Sequence, residues 1–188
     1  MALISARTIV TSLSLFHITL GFFFLTNPAS VADQALVYVL GEAMGMPYSR
    51  AFDVPTPALA FLAVILAGWG FSDLITLSMP EEVCLVHYWG MQAPLRVLIS
   101  MVTLFYSFFF SASSPLYGGS STRKARHLLY EYEGRPGSVG DGLKNRVFFT
   151  FMFIETVSWF WLWVTLREER VQLLARKANR RRSHSYAT

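Results

Sequence analysis

Residues Thr56–Leu77 read TPALAFLAVILAGWGFSDLITL, an apolar run whose only charge, Asp73, falls near its end. A bilayer core about 30 Å thick is crossed by roughly 20 helical residues, so this run is long enough to span it. Hydrocarbon offers the backbone no partners, and a spanning segment must satisfy its own N–H and C=O groups as a helix. Working outward, Ile9–Leu25, Leu95–Ala112 and Arg146–Leu166 have the same character. The sequence therefore predicts an all-α membrane protein with four transmembrane helices and one short interfacial helix after the first span.

Composition points the same way. Of the 188 residues 53% are hydrophobic, and mean hydropathy is +0.40. Nothing left outside the spans reaches the about 50 residues that a separate soluble domain needs. The reading is one four-span domain over residues 1–176, with a polar loop at 113–145 and a basic, flexible tail at 177–188. The single cysteine, Cys84, allows neither an internal disulfide nor a cysteine-rich metal site. Arg7, the first apolar run and Ser30-Val31-Ala32 have the outline of a secretory signal. A signal's apolar region is typically about 7–15 residues, and this longer, Phe-rich run reads instead as a retained anchor.

Between the spans, Ser30–Met46 alternates apolar positions with Asp33 and Glu42. Ser30 and Asp33 suit an N-cap, and Gly45 with Pro47 ends the pattern, so a short surface helix is expected. Val83–Pro94 is apolar but carries His87, Gly90 and Pro94. It reads as an interfacial or re-entrant piece, with Tyr88 and Trp89 as headgroup-level anchors. Four crossings return both termini and the loop after the second span to one face. Arg7 and the cations from Arg167 to Arg182 collect there, against Arg50 and the group from Arg123 to Arg146 opposite. The positive-inside rule then favours cytosolic termini.

Ionisable residues inside spans are costly unless paired or wetted, which singles out His17, Asp73, Arg96 and Glu155. Asp73 near the end of the second span and Arg96 near the start of the third fall on the same side of the bilayer midplane. They could form an ion pair. His17 and Glu155 both lie near mid-span, where they could share a proton or a hydrogen bond. Each pair has a plainer reading as a contact between helices, typically worth about 0.6 kcal/mol per hydrogen bond in membranes. The tryptophans Trp69, Trp89, Trp159, Trp161 and Trp163 are candidates to face lipid or a partner, as interfacial anchors or as the wall of a sterol groove.

Enzyme signatures are sparse. There is no phosphate-binding Gly-rich loop, no HExxH and no His/Cys set with metal spacing. His87 beside Glu81 and Glu82 is a weak acid/base constellation. Arg180-Arg181-Arg182 lacks interleaved aromatics, so it suits anionic headgroups, or an arginine-type retention signal, better than nucleic acid.

The run Met1-Ala2-Leu3-Ile4-Ser5-Ala6-Arg7-Thr8-Ile9, continued by Ser12-Leu13-Ser14-Leu15-Phe16-His17, carries a resemblance. So does Asp33-Gln34-Ala35-Leu36-Val37 leading into Leu40-Gly41-Glu42-Ala43-Met44. Together they resemble the fungal increased loss of mitochondrial DNA protein 1 family. The resemblance implies a multi-pass protein of the endoplasmic reticulum, linked genetically to mitochondrial genome maintenance. It brings no catalytic residues with it.

The expectation is a non-enzymatic accessory or scaffold subunit of a membrane assembly. Its partners would be membrane lipids and another membrane protein or a second copy of itself, with no nucleic acid. It would need no cofactor beyond a bound lipid or sterol. An alternative is a lipid- or sterol-handling protein of the isomerase type, with His17, Asp73 and Glu155 turned inward. A third reading, a cation or counter-ion channel, needs oligomers with a continuous acidic lumen.

Overall fold

The computed structural model describes residues 4–80, 82–109 and 141–185. Four helices are long and apolar enough to cross a membrane: Ala6–Thr26, Pro57–Thr76, Val83–Phe109 and Arg146–Arg176. No strand occurs among the described residues. Among the described residues the α-helices are, in chain order, α1 (Ala6–Thr26), α2 (Ala29–Ala32), α3 (Ala35–Ala43), α4 (Pro57–Thr76), α5 (Trp89–Phe109) and α6 (Arg146–Ser185).

Three of the long helices begin on the same local chemistry. The first N–H groups of a helix lack partners, and a preceding Ser, Thr or Asn oxygen accepts one of them. Ser5 Oγ accepts from the Thr8 N–H at 3.2 Å, Thr56 Oγ1 from Leu59 at 3.2 Å, and Asn145 Oδ1 from Phe148 at 2.9 Å. Pro57 then opens α4, where its missing N–H costs nothing.

Between α1 and α4 the single short helix expected over Ser30–Met46 is two pieces. Asp33 closes α2 by donating its N–H to the Ala29 carbonyl at 2.9 Å, and extended Gln34 (ψ 134°) restarts the chain as α3. Asp33 therefore ends a helix where it was expected to begin one. Gly45, at φ 64°, ends α3 in the left-handed region. The Met46 N–H reaches back to the Gly41 carbonyl at 2.8 Å and the Gly45 N–H to Glu42 at 3.1 Å, which satisfies two terminal carbonyls.

The third span differs more from expectation. Val83–Pro94 is no re-entrant break: Val83–Tyr88 forms a π-helical turn that runs straight into α5. The Trp89 N–H bonds the Cys84 carbonyl, five residues back, so the chain absorbs an extra residue per turn without leaving the helix. Pro94 sits inside α5. Arg96 is therefore 13 residues past Val83, in mid-helix, and not at the start of the span. At the other end of the chain α6 is 40 residues, about 60 Å at 1.5 Å per residue. Its backbone is helical through Ser185.

Packing divides the chain into two units, each drawing residues from all four long helices. The first comprises Met1–Phe22, Ala63–Leu98 and Thr156–Thr188; the second comprises Phe23–Leu62 and Ile99–Glu155. The first unit holds a buried cluster that includes Val10, Leu13, Leu85, Trp89, Val97, Trp159 and Leu162. Within it α1 and α4 approach through small residues. A Cβ on Gly70 would lie 2.6 Å from the Ser14 carbonyl oxygen, and one on Gly21 would lie 2.7 Å from that of Ala63. Lipid supplies no hydrophobic drive between helices, so such backbone contact is a main source of adhesion. At one end of this unit the Ala6 N–H donates to Glu169 Oε1 at 2.9 Å and Arg7 donates to the Leu77 carbonyl. The start of α1, the end of α4 and the far part of α6 thus meet, as four antiparallel crossings require.

Candidate functional site

The first unit brings two of the four intramembrane ionisable residues together. Arg96 Nη1 donates to Asp73 Oδ2 at 2.6 Å, and Nη2 donates to Oδ1 at 2.9 Å. This fork-to-fork geometry is the strong form of a guanidinium–carboxylate contact. Asp73 is 1% exposed, and its own carbonyl accepts from the Thr76 hydroxyl at 2.7 Å. Both carboxylate oxygens are thereby committed.

Three indoles enclose the guanidinium. Its Cζ lies 4.5 Å from the Trp159 ring centroid, 5.1 Å from Trp69 and 5.3 Å from Trp89. Trp89 and Trp159 stack on each other with centroids 5.6 Å apart and planes 19° from parallel. Helical spacing explains the convergence. Trp69 precedes Asp73 by four residues and Trp89 precedes Arg96 by seven, so each indole shares a face with one member of the ion pair. Trp159 comes from the last helix and closes the cage. A cation over an indole face gains about 0.5–2 kcal/mol, more as water is removed. Together these contacts offset part of the desolvation that makes buried ion pairs expensive.

The five tryptophans therefore divide. Trp89 and Trp159, expected to face lipid or a partner, are buried at 0% and 1% exposure. Trp161 projects outward, because two residues along a helix is a turn of about 200°. Trp163 returns to the Trp159 side, packs against the buried cluster and has the Arg167 guanidinium 5.9 Å from its centroid. Trp69 is half exposed and marks the outer edge of the cage. The charges on Asp73 and Arg96 were legible as candidates from their place in the spans, whereas the indole cage was not. The i+4 and i+7 spacings were its available signal.

His17 is buried in the first unit, where its Cβ would be 3.3 Å from a side chain at Gly70. Glu155 is buried in the second unit. The side chains of Arg180, Arg181 and Arg182 lie outside the described residues, as do Glu81 and most of the 113–145 loop. Among the described residues no group of three or more His, Cys, Asp or Glu side chains could hold a metal.

Most of this architecture falls within one sequence family. A family model described as increased loss of mitochondrial DNA protein 1 matches residues 4–176. The chain belongs to that family. No curated protein and no solved structure matches it. The match includes all four spans and the caged pair, and it stops before Arg180.

Family membership draws attention to Leu40-Gly41-Glu42-Ala43-Met44, which has a defined place in the second unit. Arg146, the first residue of α6, donates through Nη2 to Glu42 at 2.7 Å and through Nε to the Met46 carbonyl at 2.9 Å. Its backbone N–H reaches the Pro47 carbonyl at 3.2 Å, and its Cζ sits 5.4 Å from the Tyr38 ring. The Arg146 stem lies across Gly41, where an added Cβ would be 2.8 Å from both Arg146 Cβ and Cδ. One arginine thus ties the short helix α3 to the start of the last span. Sequence reasoning passed over it, because a cation at a span end ordinarily reads as a headgroup anchor.

Proposed function

We propose that this protein is a non-catalytic accessory subunit that scaffolds an assembly in the endoplasmic reticulum membrane and supports mitochondrial genome maintenance indirectly. The observation that carries the reading is the closed state of the intramembrane pair. Both Asp73 oxygens are engaged by Arg96, and indoles cover the guanidinium. A carboxylate held by both oxygens in this way is a clamp between two helices. The net charge of +4 does not argue for DNA, because so much of the chain is built for lipid. Membrane composition or contact with mitochondria would transmit its effect on the genome.

The test separates clamp from chemistry. Replacing a buried ion pair by apolar residues of similar volume is often neutral for stability. Asp73→Leu with Arg96→Met in the full chain should fold and retain the mitochondrial genome. A double variant that folds, yet loses the genome as a deletion does, would overturn the scaffold reading and favour acid/base work on a lipid or sterol.

A further inference from the structure

We propose that the cleft between the start of α1 and the projecting part of α6 binds the phosphate of an anionic membrane lipid. The cleft has a volume of about 180 Å³ and lies wholly within the first unit. Ser5, Arg7, Gln172 and Arg176 supply its donors, and Leu85 and Leu173 supply its apolar wall.

Its charge balance favours an anion. Among the described residues Glu169 is the one acidic side chain lining the cleft, and its Oε1 accepts the Ala6 N–H at 2.9 Å, so it serves the first turn of α1. Two arginines face that single carboxylate. Arg7 is steadied by its bond to the Leu77 carbonyl, which uses one of its five guanidinium N–H groups. Guanidinium groups match the oxygens of a phosphate in pairs.

The source of the phosphate follows from where the cleft lies. Arg7 lies two residues before Ile9, where the apolar run of α1 begins. Glu169, Gln172 and Arg176 follow one another at spacings of three and four, on one face of α6, just past Leu166 of the buried cluster. That level belongs to headgroups. An ester of phosphate with an apolar tail would place its charge on the arginines and its first methylenes on Leu85 and Leu173. A free anion would make no use of that wall.

The site is independent of the scaffold role and is read separately. Full-length protein, stripped of lipid in a neutral detergent, is titrated with phosphatidic acid or phosphatidylcholine, and bound lipid is counted by native mass spectrometry. We expect one phosphatidic acid per chain, little phosphatidylcholine, and affinity weakened on the order of tenfold by Arg176→Gln. Arg176→Lys should bind between wild type and Arg176→Gln, since an ammonium keeps the charge and loses the paired N–H match. Arg170→Gln removes the same charge from the same helix outside the cleft and should change nothing. Should Arg176→Gln lower the melting temperature, Gln172→Glu carries the same test by setting a second carboxylate in the cleft. Equal losses from Arg170→Gln and Arg176→Gln, equal retention of phosphatidylcholine, or equal competition by glycerol 3-phosphate would each overturn the proposal.

Discussion

Removing Arg96 from its cage should be the costliest single change in the first unit. Arg96→Gln abolishes both bonds to Asp73 and leaves a carboxylate that is 1% exposed with no cation beside it. Breaking a buried pair from one side costs about 3–5 kcal/mol. In chains of this size each kcal/mol shifts the melting temperature by about 2–4 °C, which converts to a fall of roughly 6–20 °C. Asp73→Asn should cost less, because the guanidinium keeps its three indoles. The two changes combined should fall short of their sum, with a coupling of up to about 3 kcal/mol. Arg96→Lys should fall between wild type and Arg96→Gln, since an ammonium keeps the charge and loses the planar fork. The reciprocal swap, Asp73→Arg with Arg96→Asp, should not recover stability, because the cage is built around a guanidinium carried by α5. Thermal unfolding in detergent, followed by tryptophan fluorescence, reads all five variants. Additive single and double variants, or Arg96→Gln melting within a few degrees of wild type, would refute the reasoning.

Three further outcomes follow from local geometry. Gly70→Val should force α1 and α4 apart and cost about 1–3 kcal/mol, whereas Gly68→Ala, with nothing within 4 Å, should be neutral or stabilising; equal melting temperatures for the two would contradict the close crossing. Arg146→Ala should release α3 from the start of α6, seen as faster proteolysis at Pro47–Val54 with the spans intact; unchanged cleavage would argue against the clamp. The Tyr48 hydroxyl donates to the Asp53 carboxylate, and that hydrogen bond holds its pKa above the ordinary 10.0. The folded value is raised, so the stabilisation is complete below the ordinary value and lost as pH rises through the folded one. A difference ultraviolet titration of wild type against Tyr48→Phe should show one phenol ionising late; one ionising at or below pH 10.0 would contradict this.

Much of the fold was legible because a bilayer allows so few solutions. Thr56–Leu77 could hardly be anything but a spanning helix, and charge inside spans named Asp73 and Arg96. The start of the third span was not legible, since His87, Gly90 and Pro94 are ordinary break signals. A π-turn, whose hydrogen bonds skip one residue further, carried the helix through them. Arg146 and Gly70 were missed for a related reason. A cation at a span end and a glycine within a span each have a common local explanation, and their actual roles depend on a neighbour distant in sequence. Trp159 is the clearest case, because its place over Arg96 comes from the packing of α6 and from no local pattern.

The measurement that bears most directly on the central claim is native mass spectrometry of the tagged full-length protein, extracted in a digitonin-type detergent. The scaffold account predicts a defined complex of fixed stoichiometry, with a second membrane protein or with further copies of this chain, that survives the Asp73→Leu/Arg96→Met replacement. A lone chain carrying one stoichiometric sterol would contradict it.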